Sequence, residues 1–109
     1  MINLKELVEV LEIEDIIGDL NKNISGISYD SRKVKEDYLF VAITGFKQDG
    51  HQFIEDAINN GASAVIVEND INLNLNDTTL IRVNNSRIAL AQLSNKFYGY
   101  PSQDLTVIG

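Results

Sequence analysis

The sequence predicts an α/β domain of three layers, in which a mixed, partly parallel sheet is flanked by helices. Two apolar runs of strand length, Leu39-Phe40-Val41-Ala42-Ile43 and Ala64-Val65-Ile66-Val67, suit strands covered on both faces. Between them, Phe53, Ile54, Ala57 and Ile58 recur at helical spacing. Strand, helix and strand in succession make a βαβ unit, which implies a parallel pair joined by a right-handed crossover.

The elements follow in order. Leu4, Leu7, Val8 and Leu11 fall on one helix face, with Asn3 as N-cap and Glu6 where a capping box places a carboxylate. Glu12, Glu14, Asp15 and Asp19 read as a solvated acidic rim closed by Gly18. Ile24, Ile27 and Tyr29 lead as a strand into the loop Asp30-Ser31-Arg32. After the strand Leu39–Ile43 comes a glycine-bounded loop. The next helix has Asp49 as its cap and Gly61 as its stop. The Asn-rich stretch 69–79 reads as a loop, and Leu80-Ile81-Arg82-Val83 as a further strand. Ser86 can cap a helix carrying Ile88, Ala89, Leu90, Leu93 and Phe97, ended by Gly99 and Pro101. Leu105 to Gly109 reads as the start of one more strand.

Bulk properties narrow the function. A chain of 109 residues has the size of one domain. Its formal net charge of −7 argues against nucleic acid or an anionic membrane as partner. The absence of cysteine excludes disulfides and thiolate metal sites. The first residues lack the layout of a secretory signal, and no apolar run approaches the ~20 residues of a membrane span. A cytoplasmic protein is therefore expected. The sequons at Asn23 and Asn76 are then chance matches.

Two polar signatures stand where strands stop: Tyr29-Asp30-Ser31-Arg32 and Gly45-Phe46-Lys47-Gln48-Asp49-Gly50-His51. In open α/β sheets ligands bind beyond the carboxyl ends of the strands, so both loops are candidates for one site. Gly45 and Gly50 let the backbone approach a ligand closely, and the following helix start would favour an anion. Ser31 can donate and accept at a base edge or phosphate, or can bond its own turn. Tyr29 and Phe46 can stack on a planar base or fill the core. Asp30 and Arg32 suit each other as an ion pair better than catalysis. Arg32, Lys33, Lys35 and Lys47 gather four of the nine basic residues near these loops, which suits a small anionic ligand. His51 is the only histidine and reads as a capping or packing group, so no metal site is expected. Asp30 with Asp49 makes an unconvincing acid/base pair. The chain contains no Gly-x-x-x-x-Gly-Lys-Ser/Thr loop for a nucleoside triphosphate.

With their spacing, these signatures resemble the N-terminal domain of the Mur ligases of peptidoglycan synthesis. The resemblance rests on Asp30-Ser31-Arg32, Leu39-Phe40-Val41-Ala42, Gly45, Asp49-Gly50-His51 and Gly61-Ala62. Ser86-Arg87, Ala89-Leu90-Ala91, Phe97-Tyr98-Gly99-Tyr100-Pro101-Ser102 and Val107-Ile108-Gly109 extend it. The extended match is to the branch that adds the third amino acid, lysine or diaminopimelate, to UDP-N-acetylmuramoyl-L-alanyl-D-glutamate. It implies that Tyr29 and Ser31 contact the uridine diphosphate and that Phe46, Lys47 and Gln48 line the uracil. Asp30, Arg32, Gly45, Asp49, Gly50 and His51 would support them. It also implies that residues 1–104 form the UDP-substrate domain and that 105–109 begin a central ATP-binding domain. The catalytic centre, ATP and magnesium would belong to that domain and to a C-terminal one. The chain departs from the family at Glu36-Asp37-Tyr38, where a Pro-Gly-Asp turn is usual. Three other readings are the ligase that adds D-alanyl-D-alanine, a free-standing small-molecule sensor, and an interaction module.

Overall fold

The computed structural model describes residues 2–43, 53–68 and 77–98. A short strand β1 (Ile2–Asn3) pairs antiparallel with β3 (Asn23–Ile24). The main sheet holds β2 (Ile13–Ile17), β4 (Gly26–Ser28), β5 (Tyr38–Val41), β6 (Ala62–Val67) and β7 (Thr79–Val83), in the spatial order β2-β7-β6-β5-β4. Strands β4 to β7 run parallel, and β2 joins β7 antiparallel. The predicted mixed, partly parallel sheet is thus observed. The helices are α1 (Leu4–Leu7), α2 (Ile54–Asn59) and α3 (Ser86–Tyr98). Among the described residues no helix is long and apolar enough to cross a membrane.

Side-chain alternation along the strands makes the layers. Ile27, Leu39, Val41, Ala64, Ile66, Ile81 and Val83 pack on one face with Leu4 and Leu7 of α1 and Ala89 and Leu93 of α3. Phe40, Ala42, Val65, Val67 and Leu80 point to the other face, against Ile54 and Ala57 of α2. The two apolar runs are buried on both sides because each contributes to both clusters.

Four expectations are corrected. Helix α2 starts at Ile54 with Phe53 in the cap position, so the cap expected at Asp49 is not the one observed. The first helix is a single turn, capped by Asn3 Oδ1 accepting from the Lys5 amide at 3.0 Å. It passes into a 3₁₀ turn at Val8–Val10, because Leu11 is extended and leads into β2. The segment read as an acidic rim is strand β2. An edge strand has one free side, so Glu14 and Asp15 can stay in water, and charge there also discourages further pairing. Finally, Ser86 is not the cap of α3. Asn85 Oδ1 accepts from the Ile88 amide at 3.1 Å, while the buried Ser86 donates its amide and its hydroxyl to Glu68 Oε2, each at 2.7 Å.

The turn that departs from the family pattern is built on Asp37, whose φ of +66° is left-handed. Aspartate tolerates that region better than most residues. The Asp37 amide donates to Gly61 O at 3.0 Å, and Asp37 O accepts from the Ser25 amide at 2.9 Å. Its carboxylate accepts from Ser63 Oγ at 3.3 Å. The substituted turn is therefore fully bonded into the sheet edge.

Candidate functional site

Strands β4 and β5 release the chain at the same edge of the sheet. Beyond β4, Ser31–Lys33 form a 3₁₀ turn whose cap is Asp30. Asp30 Oδ1 accepts from the Arg32 amide at 3.0 Å. Ser28 Oγ accepts from the Asp30 amide at 3.0 Å and donates to Asp30 O at the same distance. The Asp-Ser-Arg signature is a self-capped turn for this reason. The aspartate satisfies the free amides at its start.

Arg32 folds back on Asp30, with Nε to Oδ1 at 3.1 Å and Nη2 to Oδ2 at 3.0 Å. The Arg32 hydrogen bonds hold the Asp30 carboxyl below the usual carboxylate range, and the same contact raises the Arg32 guanidinium. The expected ion pair is present. Arg32 lies open to water, so the pair organises the turn more than it stabilises the fold.

Ser31 is buried, with 6% of its surface exposed. Its carbonyl accepts from Asn60 Nδ2 at 2.8 Å, and also from the Val34 amide at 3.3 Å. Among the described residues its hydroxyl has no partner, and it borders a cavity of about 500 Å³ lined also by Tyr29, Asp30, Arg32, Ile43, Phe53 and Asp56. Tyr29 is 65% exposed, so it stands at the lip of the cavity and is not core filling. Ile43 and Phe53 are the described residues on either side of the second loop, and both border the Ser31 cavity. Gly45, Phe46, Lys47, Gln48, Asp49, Gly50 and His51 lie outside the described residues.

Sequence reasoning missed Asp56, Phe53 and Ile43 as lining residues, and Asn60 as the partner of Ser31. Asp56 had a signal, since it stands one turn into a helix that faces the strand ends. The argument from the helix dipole is weakened. Helix α2 has six residues and carries Glu55 and Asp56 in its first turn, so negative charge already stands at its positive end.

A larger concavity of about 840 Å³ lies at the opposite edge, where β5, β6 and β7 begin. Lys22 there donates to Ser63 O at 3.0 Å and to Asp77 O. Burial pushes its ammonium below the ordinary value, against the opposing pull of Asp77 and Asp19. Glu36, Asp37 and Asp77 complete an acidic lining, which repels a phosphorylated ligand. At the Ser31 edge Arg32 pairs with Asp30 and Asp56 is the remaining carboxylate of the described lining, so the acidic excess is smaller there.

Comparison with known proteins gives the family. The family described as "Mur ligase family, catalytic domain" matches residues 23–98. The UDP-N-acetylmuramoyl-L-alanyl-D-glutamate–2,6-diaminopimelate ligase 2 of Clostridium acetobutylicum is 49% identical over 106 residues, which is 97% of this chain and 22% of that protein. The UDP-N-acetylmuramyl-tripeptide synthetase 2 of Oceanobacillus iheyensis is 43% identical over 107 residues, 98% of this chain and 22% of its own. Among solved structures, MurF from Acinetobacter baumannii superposes with a TM-score of 0.71 at 26% identity, covering 85% of this chain and 20% of that one. MurF ligase from Thermotoga maritima in complex with ADP gives 0.56 at 36% identity over 67% of this chain and 16% of that one. The chain spans about a fifth of the length of the curated relatives it matches.

Proposed function

Because the chain belongs to the Mur ligase family, we propose that it is the domain that anchors the UDP end of a peptidoglycan precursor in an ATP-dependent amide-forming ligase. The precursor is UDP-N-acetylmuramoyl-L-alanyl-D-glutamate, to which the parent enzyme adds lysine or diaminopimelate in the cytoplasm. Identities of 49% and 43% to ligases of that step, against 26% and 36% to MurF structures, favour this branch over the D-alanyl-D-alanine-adding one. The observation that carries the reading is the Ser31 hydroxyl. It is held in a self-capped turn, lacks a partner among the described residues, and borders a cavity at the carboxyl ends of the strands.

In this reading Ser31 hydrogen-bonds the uridine diphosphate and the exposed Tyr29 ring closes over it. Phe46, Lys47 and Gln48 line the uracil from the second loop. Asp30 and Arg32 fix the turn. The described residues do not fit ATP with magnesium. They offer no group of three His, Cys, Asp or Glu that could hold a metal, and the sequence has no triphosphate-binding loop. Those groups belong to the central and C-terminal domains of the parent enzyme. The contribution of this domain is binding energy from a remote handle, which positions the reacting carboxylate elsewhere.

Replacing Ser31 by alanine is expected to weaken UDP binding by about 1 kcal/mol, the scale of one hydrogen bond, with the fold intact. Isothermal titration of the two proteins decides it. An unchanged affinity would remove Ser31 from the site.

A further inference from the structure

The Ser31 turn is not held by its own strand alone. Helix α2 enters at the cavity, where Phe53 and Asp56 are lining residues. It leaves through Asn60 and Gly61, which grip the connection between β4 and β5 at two points. Asn60 Nδ2 donates to Ser31 O at 2.8 Å, and Gly61 O accepts from the Asp37 amide at 3.0 Å. The Asn60 amide is itself engaged by Asp56 O and Ala57 O at 3.0 and 3.1 Å. The side chain of Asn60 therefore projects from a closed helix end.

We infer that Asn60 is a positioning residue for ligand binding, a joint through which α2 sets where the Ser31 hydroxyl sits in the cavity. The inference rests on the anchoring function proposed above and deepens it. Asn60 does not border the Ser31 cavity, so its effect runs through the Ser31 carbonyl. A carbonyl oxygen has two lone pairs, and the Val34 amide at 3.3 Å makes the weaker of its two contacts. Asn60 Nδ2 supplies the firmer one, at 2.8 Å.

The test uses Asn60→Asp, which keeps the shape but turns the donor into an acceptor facing the Ser31 carbonyl. UDP affinity is measured for the wild type, N60D, S31A and the double variant. N60D is expected to weaken UDP binding about five- to tenfold, the scale of one hydrogen bond. In the S31A background it should change affinity less than about twofold, because an effect acting through one residue is non-additive with its removal. A merely structural role would lower affinity equally in both backgrounds, and that result overturns the inference. Wild-type affinity in N60D also overturns it. If N60D does not fold, Asn60→Ala removes the donor without adding charge and is read the same way. Absence of UDP binding by the wild type would refute the anchoring function instead. The joint is then judged on the ligand-free protein by hydrogen exchange at the Val34 amide. Faster exchange in the variant supports it, and unchanged exchange rejects it.

Discussion

Replacing Phe40 by alanine is expected to cost the domain about 3–5 kcal/mol, the usual penalty for emptying a buried aromatic site. Phe40 is fully buried, and it sits in the layer between the sheet and α2 with Val34, Ile54, Ala57, Val65 and Leu80. Apart from Val34, which is tied to the Ser31 turn by its amide, these neighbours belong to strands and a helix fixed by their own hydrogen bonds, so they cannot collapse into the space. Domains of this size hold only about 5–15 kcal/mol in total, and Tm should fall by more than about 12 °C. Urea unfolding of both proteins gives the number. A loss under about 1.5 kcal/mol would mean that the α2 layer is not packed as described.

Gly61→Ala is expected to rank next, at about 2–4 kcal/mol, because two penalties coincide. The φ of Gly61 is +117°, outside the range L side chains adopt without strain. A Cβ built there would also stand 2.7 Å from Glu36 Cα and 2.8 Å from Glu36 N. Those are backbone atoms, which cannot rotate away. The displaced backbone leads into Asp37, whose amide donates to Gly61 O, and back to Ser31, so nucleotide affinity should fall along with stability. Thermal unfolding checks the first effect and UDP titration the second. A variant as stable as the wild type would show that the corner between α2 and β6 is more open than the structure has it.

Much of this architecture is legible in the sequence because burial on both faces leaves continuous apolar runs. Strands β5 and β6 are of this kind, while α3 is legible by the helical spacing of the face that buries Ala89 and Leu93. Strand β2 is hidden because an edge strand need bury little, and Ile17 is 56% exposed. The cap of α3 is not legible locally because Ser86 is claimed by Glu68, a partner eighteen positions away that no local pattern reveals. The site divides in the same way. The pairing of Asp30 with Arg32 could be read because it is local, two positions apart. Asn60 could not, since its contact with Ser31 spans twenty-nine positions. The exposure of Tyr29 rules out the core-filling reading that its sequence left open.

The central claim is that this domain grips a uridine nucleotide at the carboxyl ends of β4 and β5. The most direct measurement is a titration of the isotopically labelled 109-residue protein with UDP, followed by amide shifts. The account predicts saturable shifts at Tyr29 to Lys33, Ile43 and Phe53. Shifts confined to Lys22, Ser63 and Asp77 at the opposite edge, or none at all, would contradict it.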